Sequence, residues 1–539
     1  MASQKQTSAG PTTVLKRRSV LAGVGATVLA APGLVKAEAE RTLRFVPFVD
    51  LSVIDPVATV ATPARNHGFL VFDTLYGIDA SYRPQPQMVQ GHVVEEDGLQ
   101  WRLVLRDGLR FHDGRPVLAR DCVASIRRWM VLDTFGQALS DATAELAAPD
   151  DKTIRFRLRY KFPLLPDALA KASPSLCAIM PERLASTNAS KPLTEMVGSG
   201  PYRFAADDYM PGAKVVYTRF DGYLPRTDGA VSGTAGPKVA HFDRVQWLTL
   251  PDPSTAAAAL RTGEVDWWET PSPDLLPILR KDRNLVAELK DDAGLTPTIR
   301  FNCIQPPFDN PAIRRAVLQA TDQTTMMQAY SDDPALWHVK LGVFCPGTPM
   351  ANDAGLQGLF GPTDLSRARQ ALKDAGYAGQ PAVVLLPAEH PVLAPLTQVA
   401  ADLFRQIGIN VDLQSMDTGT LYQRRASREP VEKGGWSCYP SMVSGLNVIN
   451  PGVHAALRGN GLKGLPGWLT SERIEQLHEA WLIEEDPVKQ QRLCEEMQLQ
   501  AWADASFIPS GQILQPTAWR RDLSGILDGF AKFWNVRRT

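Results

Sequence analysis

Residues 382–413 read AVVLLPAEHPVLAPLTQVAADLFRQIGINVDL, and this stretch decides the fold class. Ala382–Leu386 is an unbroken apolar run, short enough to be a buried strand. Over residues 395–407, Leu396, Val399, Ala400, Leu403, Phe404 and Ile407 recur at helical spacing, and Gly408 ends the stripe. Ile409–Leu413 is strand-like again. Strand, helix and strand within about thirty residues predict a parallel pair joined by a right-handed crossover, hence an α/β chain.

The flanking sequence agrees. Leu365, Ala368, Ala371, Leu372 and Ala375 form a helical stripe closed by Gly376. Asn310-Pro311 opens another helix, because Asn can cap and Pro at the first turn loses no hydrogen bond. A long helix is expected near 486–503. The first half is richer in strands: Thr42–Val49, Trp101–Leu105 and Thr153–Leu158 alternate apolar and polar residues. Asp107-Gly108 predicts a turn, with Leu109–Phe111 returning as the second arm of a hairpin. A helix is predicted over residues 119–131, with Leu118 offering no capping oxygen.

A chain of 539 residues implies two or three domains. With 44% apolar and 21% charged residues it has an ordinary globular balance. Residues 1–37 differ: they hold five basic residues and no acid, and Val20–Val35 is rich in Gly, Ala, Val and Leu. Val35-Lys36-Ala37 suits cleavage, and Arg17-Arg18 resembles a twin-arginine export signal. Its removal takes the net charge from −1 to about −6, which gives no electrostatic reason to bind nucleic acid or an anionic membrane.

Chemistry-bearing motifs are scarce. Cys122, Cys177, Cys303, Cys345, Cys438 and Cys494 form no Cys-x-x-Cys pair, so mostly free, buried thiols are expected. No His-Glu-x-x-His, Gly-x-Ser-x-Gly or metal-ligand spacing is present. Gly459–Gly464 spells G-x-G-x-x-G, but Pro466-Gly467 follow where a dinucleotide fold needs a helix, so it reads as a loop. His112-Asp113 suits a turn better than a catalytic pair. No catalytic residue, metal or cofactor is expected.

Seven stretches in order resemble family 5 of the bacterial extracellular solute-binding proteins. They are Trp101–Asp121 (WRLVLRDGLRFHDGRPVLARD), Val197–Phe204 (VGSGPYRF), 258–267 (AALRTGEVDW, within AAALRTGEVDW), Phe301–Gln323, Ala368–Tyr377 (ARQALKDAGY), Phe404–Leu413 (FRQIGINVDL) and Asp486–Pro509. The resemblance implies a class II periplasmic-binding-protein fold, two lobes with a hinge and an extra inserted subdomain. Lobe I would take residues 41–69, 198–297 and 506–539, the inserted subdomain 70–197, and lobe II 298–505. The crossings would then lie near residues 298 and 505. The implied role is a periplasmic monomer that traps a small-molecule solute and hands it to an inner-membrane ABC permease. An exported enzyme and a solute-sensing receptor subunit are the alternatives of other classes.

The resemblance also locates the site. The lobe II contact segment would be Trp436–Gly452, where peptide-binding relatives carry an aspartate for the peptide's α-ammonium. This stretch has no acid. A buried ammonium without a partner costs several kcal/mol, which argues against an ordinary free-amino peptide. Trp436, Tyr439, Ser441, Ser444, Asn447 and Asn450 suit sugars, aromatic acids or neutral polar metabolites instead. A carboxylate from Glu269 or Asp417 would restore the peptide reading. Of the tandem tryptophans after Gly263, Trp268 is expected in the cleft and Trp267 in the core. Arg300 could hold an anionic group by a forked pair, and the loop Thr59–Asn66 is a third candidate region.

Overall fold

The computed structural model describes residues 41–360 and 364–539, so the predicted export signal at 1–37 lies outside the described residues. Two seven-stranded sheets carry the architecture. In the first, the path runs Leu285–Glu288, Thr517–Arg520, Trp267–Trp268, Thr42–Val46, Arg244–Leu248, Lys214–Arg219 and Tyr202–Phe204. Thr42–Val46 lies mid-sheet, parallel to both neighbours, and is buried on both faces, as such strands are. Behind it Phe45, Trp247, Trp267 and Phe533 interlock with ring centroids 4.9–5.6 Å apart.

The second sheet is centred on Leu295–Phe301, which pairs with Cys438–Ser444 along its whole length. Pro381–Pro387 and Asn410–Met416 follow in parallel register, joined by the helix Leu393–Ile407. This is the predicted crossover unit. Gly408 closes its helix at φ +101°, a left-handed conformation that costs a residue without Cβ nothing. Asn310 caps Pro311–Ala320 by accepting the Ala312 N–H at 2.9 Å, and Pro487–Asp504 forms the expected long helix.

A four-stranded antiparallel sheet (Val89–Glu95, Gln100–Leu105, Thr153–Leu158, Thr143–Ala147) with the helices Ala119–Leu132 and Thr134–Ala142 builds a third layer. Here the predicted hairpin is corrected. Gln100–Leu105 has both edges occupied, by Val89–Glu95 on one side and Thr153–Leu158 on the other. Gly108 turns the chain away at φ +79°, and Leu109–Phe111 folds on itself instead, Arg110 bridging Pro116. Ala119–Leu132 lacks a capping side chain at Leu118, but Asp121 accepts the Leu118 N–H at 2.9 Å from inside the first turn.

The chain changes sheets between Glu288 and Leu295, and again between Ile513 and Thr517. These points are displaced from the predicted 298 and 505, because Leu295–Phe301 is already the central strand of the second sheet and Phe507–Pro509 pairs with it. The two crossings run side by side. Gly294 (φ +52°) leaves no room for a Cβ, which would sit 2.3 Å from the Ile513 carbonyl oxygen.

Candidate functional site

Both crossings open onto one cavity. Its empty volume is about 660 Å³, including its mouth. Phe48, Thr62, Arg65, Trp267 and Glu269 come from the first sheet and its helix; Leu295 and Ser444 come from the second; Asp291, Gly294 and Gln515 come from the crossings. Phe530 and Ala531 in the C-terminal segment close one side. The pocket therefore lies on the seam between the lobes.

Its walls are charged. Arg65 sits on Thr62–Val71, a helix whose residues are almost all buried, and is only 2% exposed. Its guanidinium lies 4.0 Å from the Phe530 ring centroid. Nε donates to Asn66 Oδ1 at 3.1 Å and Nη1 to Ser444 Oγ at 3.4 Å, the latter across the seam. Two of its five N–H groups are thereby used. Glu269 accepts from the Phe48 N–H (2.7 Å) and from Asn66 Nδ2 (2.8 Å). Burial lowers the Arg65 pKa to about 10, with Asp291 and Glu269 pulling it back up. Burial likewise pushes Glu269 and Asp291 above the usual carboxylate range, against the pull of Arg65. Lys532 is pushed down to about 8 by burial, opposed by Asp291. Arg65, Glu269 and Asp291 thus share the cavity wall without a direct ion pair between Arg65 and either carboxylate among the described residues; Lys290, also on the wall, pairs with Asp528, and Lys532 lies off the wall but near enough to Asp291 for their charges to interact.

The residues predicted for the site divide. Glu269 and Ser444 are on the cavity wall, as is Arg65 from the predicted loop region. The tandem tryptophans are exchanged: Trp267 lines the cavity, and Trp268 packs with Val46, Ala256, Leu260 and Ala518 in a separate apolar cluster. The sheet alternation holds, and Thr517 Oγ1, also on the cavity wall, accepts the Trp267 indole N–H at 2.7 Å. Trp436 and Tyr439 are wholly interior, with Trp468, Val383 and Leu385 in one cluster. The Trp436 indole donates to Ser427 O (3.1 Å) and the Tyr439 hydroxyl to Pro466 O (3.1 Å). Ser441 lies mid-strand opposite Thr298, and Asn447 lies in the turn Gly445–Val448; neither lines the cavity. Arg300 donates to Pro466 O at 3.2 Å, and its Nη1 is buried without a hydrogen-bond partner. Asp417 caps the helix Thr418–Arg424.

Asp291, Lys532, Phe48 and Phe530 were not singled out from the sequence. The available signal was weak: Arg65-Asn66-His67 is a polar triplet inside an otherwise apolar helix, and Asp291 stands in a connection between strands.

The remaining motifs are scaffold. His112 shares a hydrogen bond with Gly200 O at 3.0 Å, and burial lowers its pKa to about 4. Gly459–Gly464 is a loop containing one short 3₁₀ turn. All six cysteines are unpaired. Among the described residues no group of three or more His, Cys, Asp or Glu is placed to hold a metal ion, and no helix is long and apolar enough to cross a membrane.

Comparison with known proteins agrees with this architecture. The chain is 36% identical over 535 residues to a probable peptide ABC transporter periplasmic-binding protein, y4tO, of Sinorhizobium fredii, covering 98% of this chain and 100% of the relative. It is 24% identical to the glutathione-binding protein GsiB of Salmonella typhi, covering 90% and 91%. Among solved structures it resembles AgaA of A. tumefaciens R10 in complex with agropinic acid (TM-score 0.76, 20% identity, 92% and 99% covered). It also resembles DppA of Helicobacter pylori in complex with the peptide STSA (TM-score 0.75, 20% identity, 94% and 99% covered). The model of the bacterial extracellular solute-binding proteins, family 5, matches residues 83–450. With two lobes, a pocket on their seam and this match, the chain belongs to the bacterial extracellular solute-binding proteins of family 5, a family of binding proteins and not of enzymes.

Proposed function

We propose that this protein is the periplasmic component of an ABC importer and that its solute is a small zwitterion derived from amino acids, about the size of a di- or tripeptide. The observation that carries the solute class is the set of Arg65, Glu269 and Asp291, buried charges of both signs on the wall of one cavity. A ligand carboxylate finds unused N–H groups on Arg65, and a ligand ammonium finds Glu269 or Asp291. A neutral sugar would leave Arg65, Glu269 and Asp291 enclosed with no new charged partner, at a desolvation cost of several kcal/mol. The acid-free segment Trp436–Gly452 argued against a free ammonium; a carboxylate on the opposite wall removes that objection. The names of relatives that bind peptides, glutathione or agropinic acid support the same class.

Capture follows from the seam. Contacts from both lobes to one solute exist only when the lobes are together, so the solute favours the closed state by its differential affinity. The paired connections 289–294 and 514–516 act as the hinge. Export by the twin-arginine route, a monomeric state and no role in nucleic-acid binding belong to the same proposal. A thermal-shift panel tests the solute class, because a ligand bound only by the folded state raises the melting temperature. Short peptides and carboxylated amino-acid conjugates are expected to give the largest shifts; large shifts from neutral sugars with none from zwitterions would overturn the proposal.

A further inference from the structure

A second cavity lies where the inserted subdomain meets the second lobe. Its empty volume is about 360 Å³, including its mouth, and Tyr82, Asp167 and Ser173 of the subdomain face Leu446, Ile449 and Asn450 of the lobe. It exists only while the two are in contact. At this contact the Phe135 ring fills the space beside Gly452, where a Cβ would meet it at 2.8 Å. Thr134 Oγ1 also donates to Gly452 O at 3.5 Å.

Two polar groups in this cavity have hydrogen-bonding capacity to spare. Asp167 is half-buried, and its carboxylate takes a hydrogen bond from its own backbone N–H and from no other residue among the described residues. The nearest cation in sequence, Lys171, is taken up by Asp133 (2.6 Å) and by the carbonyl oxygens of Pro174 and Ser175. Ser173 is 1% exposed and its Oγ has no hydrogen-bond partner. Buried polar groups are ordinarily satisfied, and each exception calls for a reason. Desolvation raises the Asp167 pKa to about 7, opposed only by its own backbone N–H.

We propose that this cavity is a cation-accepting subsite, in which Asp167, assisted by Ser173 and Asn450, receives an ammonium or guanidinium group carried by the solute. The two cavities are neighbours: Leu446 lies two residues beyond Ser444 of the main pocket, and Tyr82 is close enough to Asp291 for their charges to interact. A solute with a cationic arm can therefore reach both. This deepens the zwitterion reading and rests on it only for the identity of the rest of the solute.

The test has two arms on the full chain. In the first, n-butylammonium chloride alone is titrated while the Asp167 carboxyl is followed by carbon-13 NMR, assigned with the Asp167→Asn variant. Its pKa should fall by about one unit or more, as an opposite charge at contact does; an unchanged pKa overturns the proposal. This arm needs nothing from the main cavity. In the second, calorimetry compares glycyl-lysine with glycyl-norleucine. The wild type should favour lysine about tenfold or more, and Asp167→Asn should erase the preference, so that the two dipeptides bind that variant alike. A lysine preference that survives in Asp167→Asn overturns the subsite. If neither dipeptide binds, the zwitterion reading fails and the first arm decides the subsite by itself.

Discussion

The cavity wall built on Arg65 and the cluster built on Trp436 both bury large side chains with polar tips, yet they do different things. In the Trp436 cluster the tips are answered: the indole by Ser427, the Tyr439 hydroxyl by Pro466. On the Arg65 wall the charges are enclosed but only partly paired, and they face a void. Buried polar groups that are satisfied are scaffold; buried charges left with donors or lone pairs to spare, around an opening, are a receptor.

The strongest way to break this distinction is Trp436→Ala. Removing a buried tryptophan should destabilise the second lobe by about 3–5 kcal/mol, read by denaturant unfolding. The protein that remains folded should bind solute with unchanged affinity. Arg65→Met works the other way. It should cost about 2–5 kcal/mol in affinity for a zwitterion, read by calorimetry, while the melting temperature holds or rises, because replacing a buried charge by an apolar side chain relieves desolvation. Equal losses of affinity in both variants would erase the contrast.

Acid sharpens it. His67, next to Arg65 on the wall helix, has its pKa lowered to about 3 by burial. A folded-state pKa below the unfolded one means its contribution is full above about pH 6.5 and is lost as pH falls toward 3. The groups against this ring are the Tyr217 hydroxyl (3.0 Å) and the Phe204 ring, neither of which charges in that window. Hydrogen exchange should show Thr62–Val71 opening more easily between pH 6.5 and 4, while the backbone around Trp436 and Tyr439, where no histidine packs, changes less. The smallest effect is expected from Tyr439→Phe, about 1 kcal/mol of stability for one hydrogen bond, with no change in affinity.

The sequence made the α/β crossover legible because each signal there was local: an apolar run, a helical stripe and a glycine at a left-handed stop. Asn310-Pro311 was legible for the same reason. The site was less so. Trp436 and Tyr439 look like ligand platforms in one dimension, and only the sheet shows that Trp468 and the strand Pro381–Pro387 cover them. Trp267 and Trp268 fall on two faces, but which face opens on the cavity depends on what is folded against it, including Thr517 and Phe530 some 250 residues away. Asp291 gave no signal, since an acid between strands is ordinary until Arg65 and Lys532 are folded against it. Sheet membership was hard to read for a similar reason: Leu295–Phe301 alternates well enough to belong to either sheet, and its partners decide.

The most direct test is a crystal structure of the full chain grown with the zwitterion that gives the largest thermal shift. The solute should occupy the cavity between Arg65 and Leu295, its carboxylate within hydrogen-bonding distance of the Arg65 guanidinium and its ammonium beside Glu269 or Asp291. A solute seated instead against Trp436 and Tyr439, with Arg65 untouched, would contradict the account.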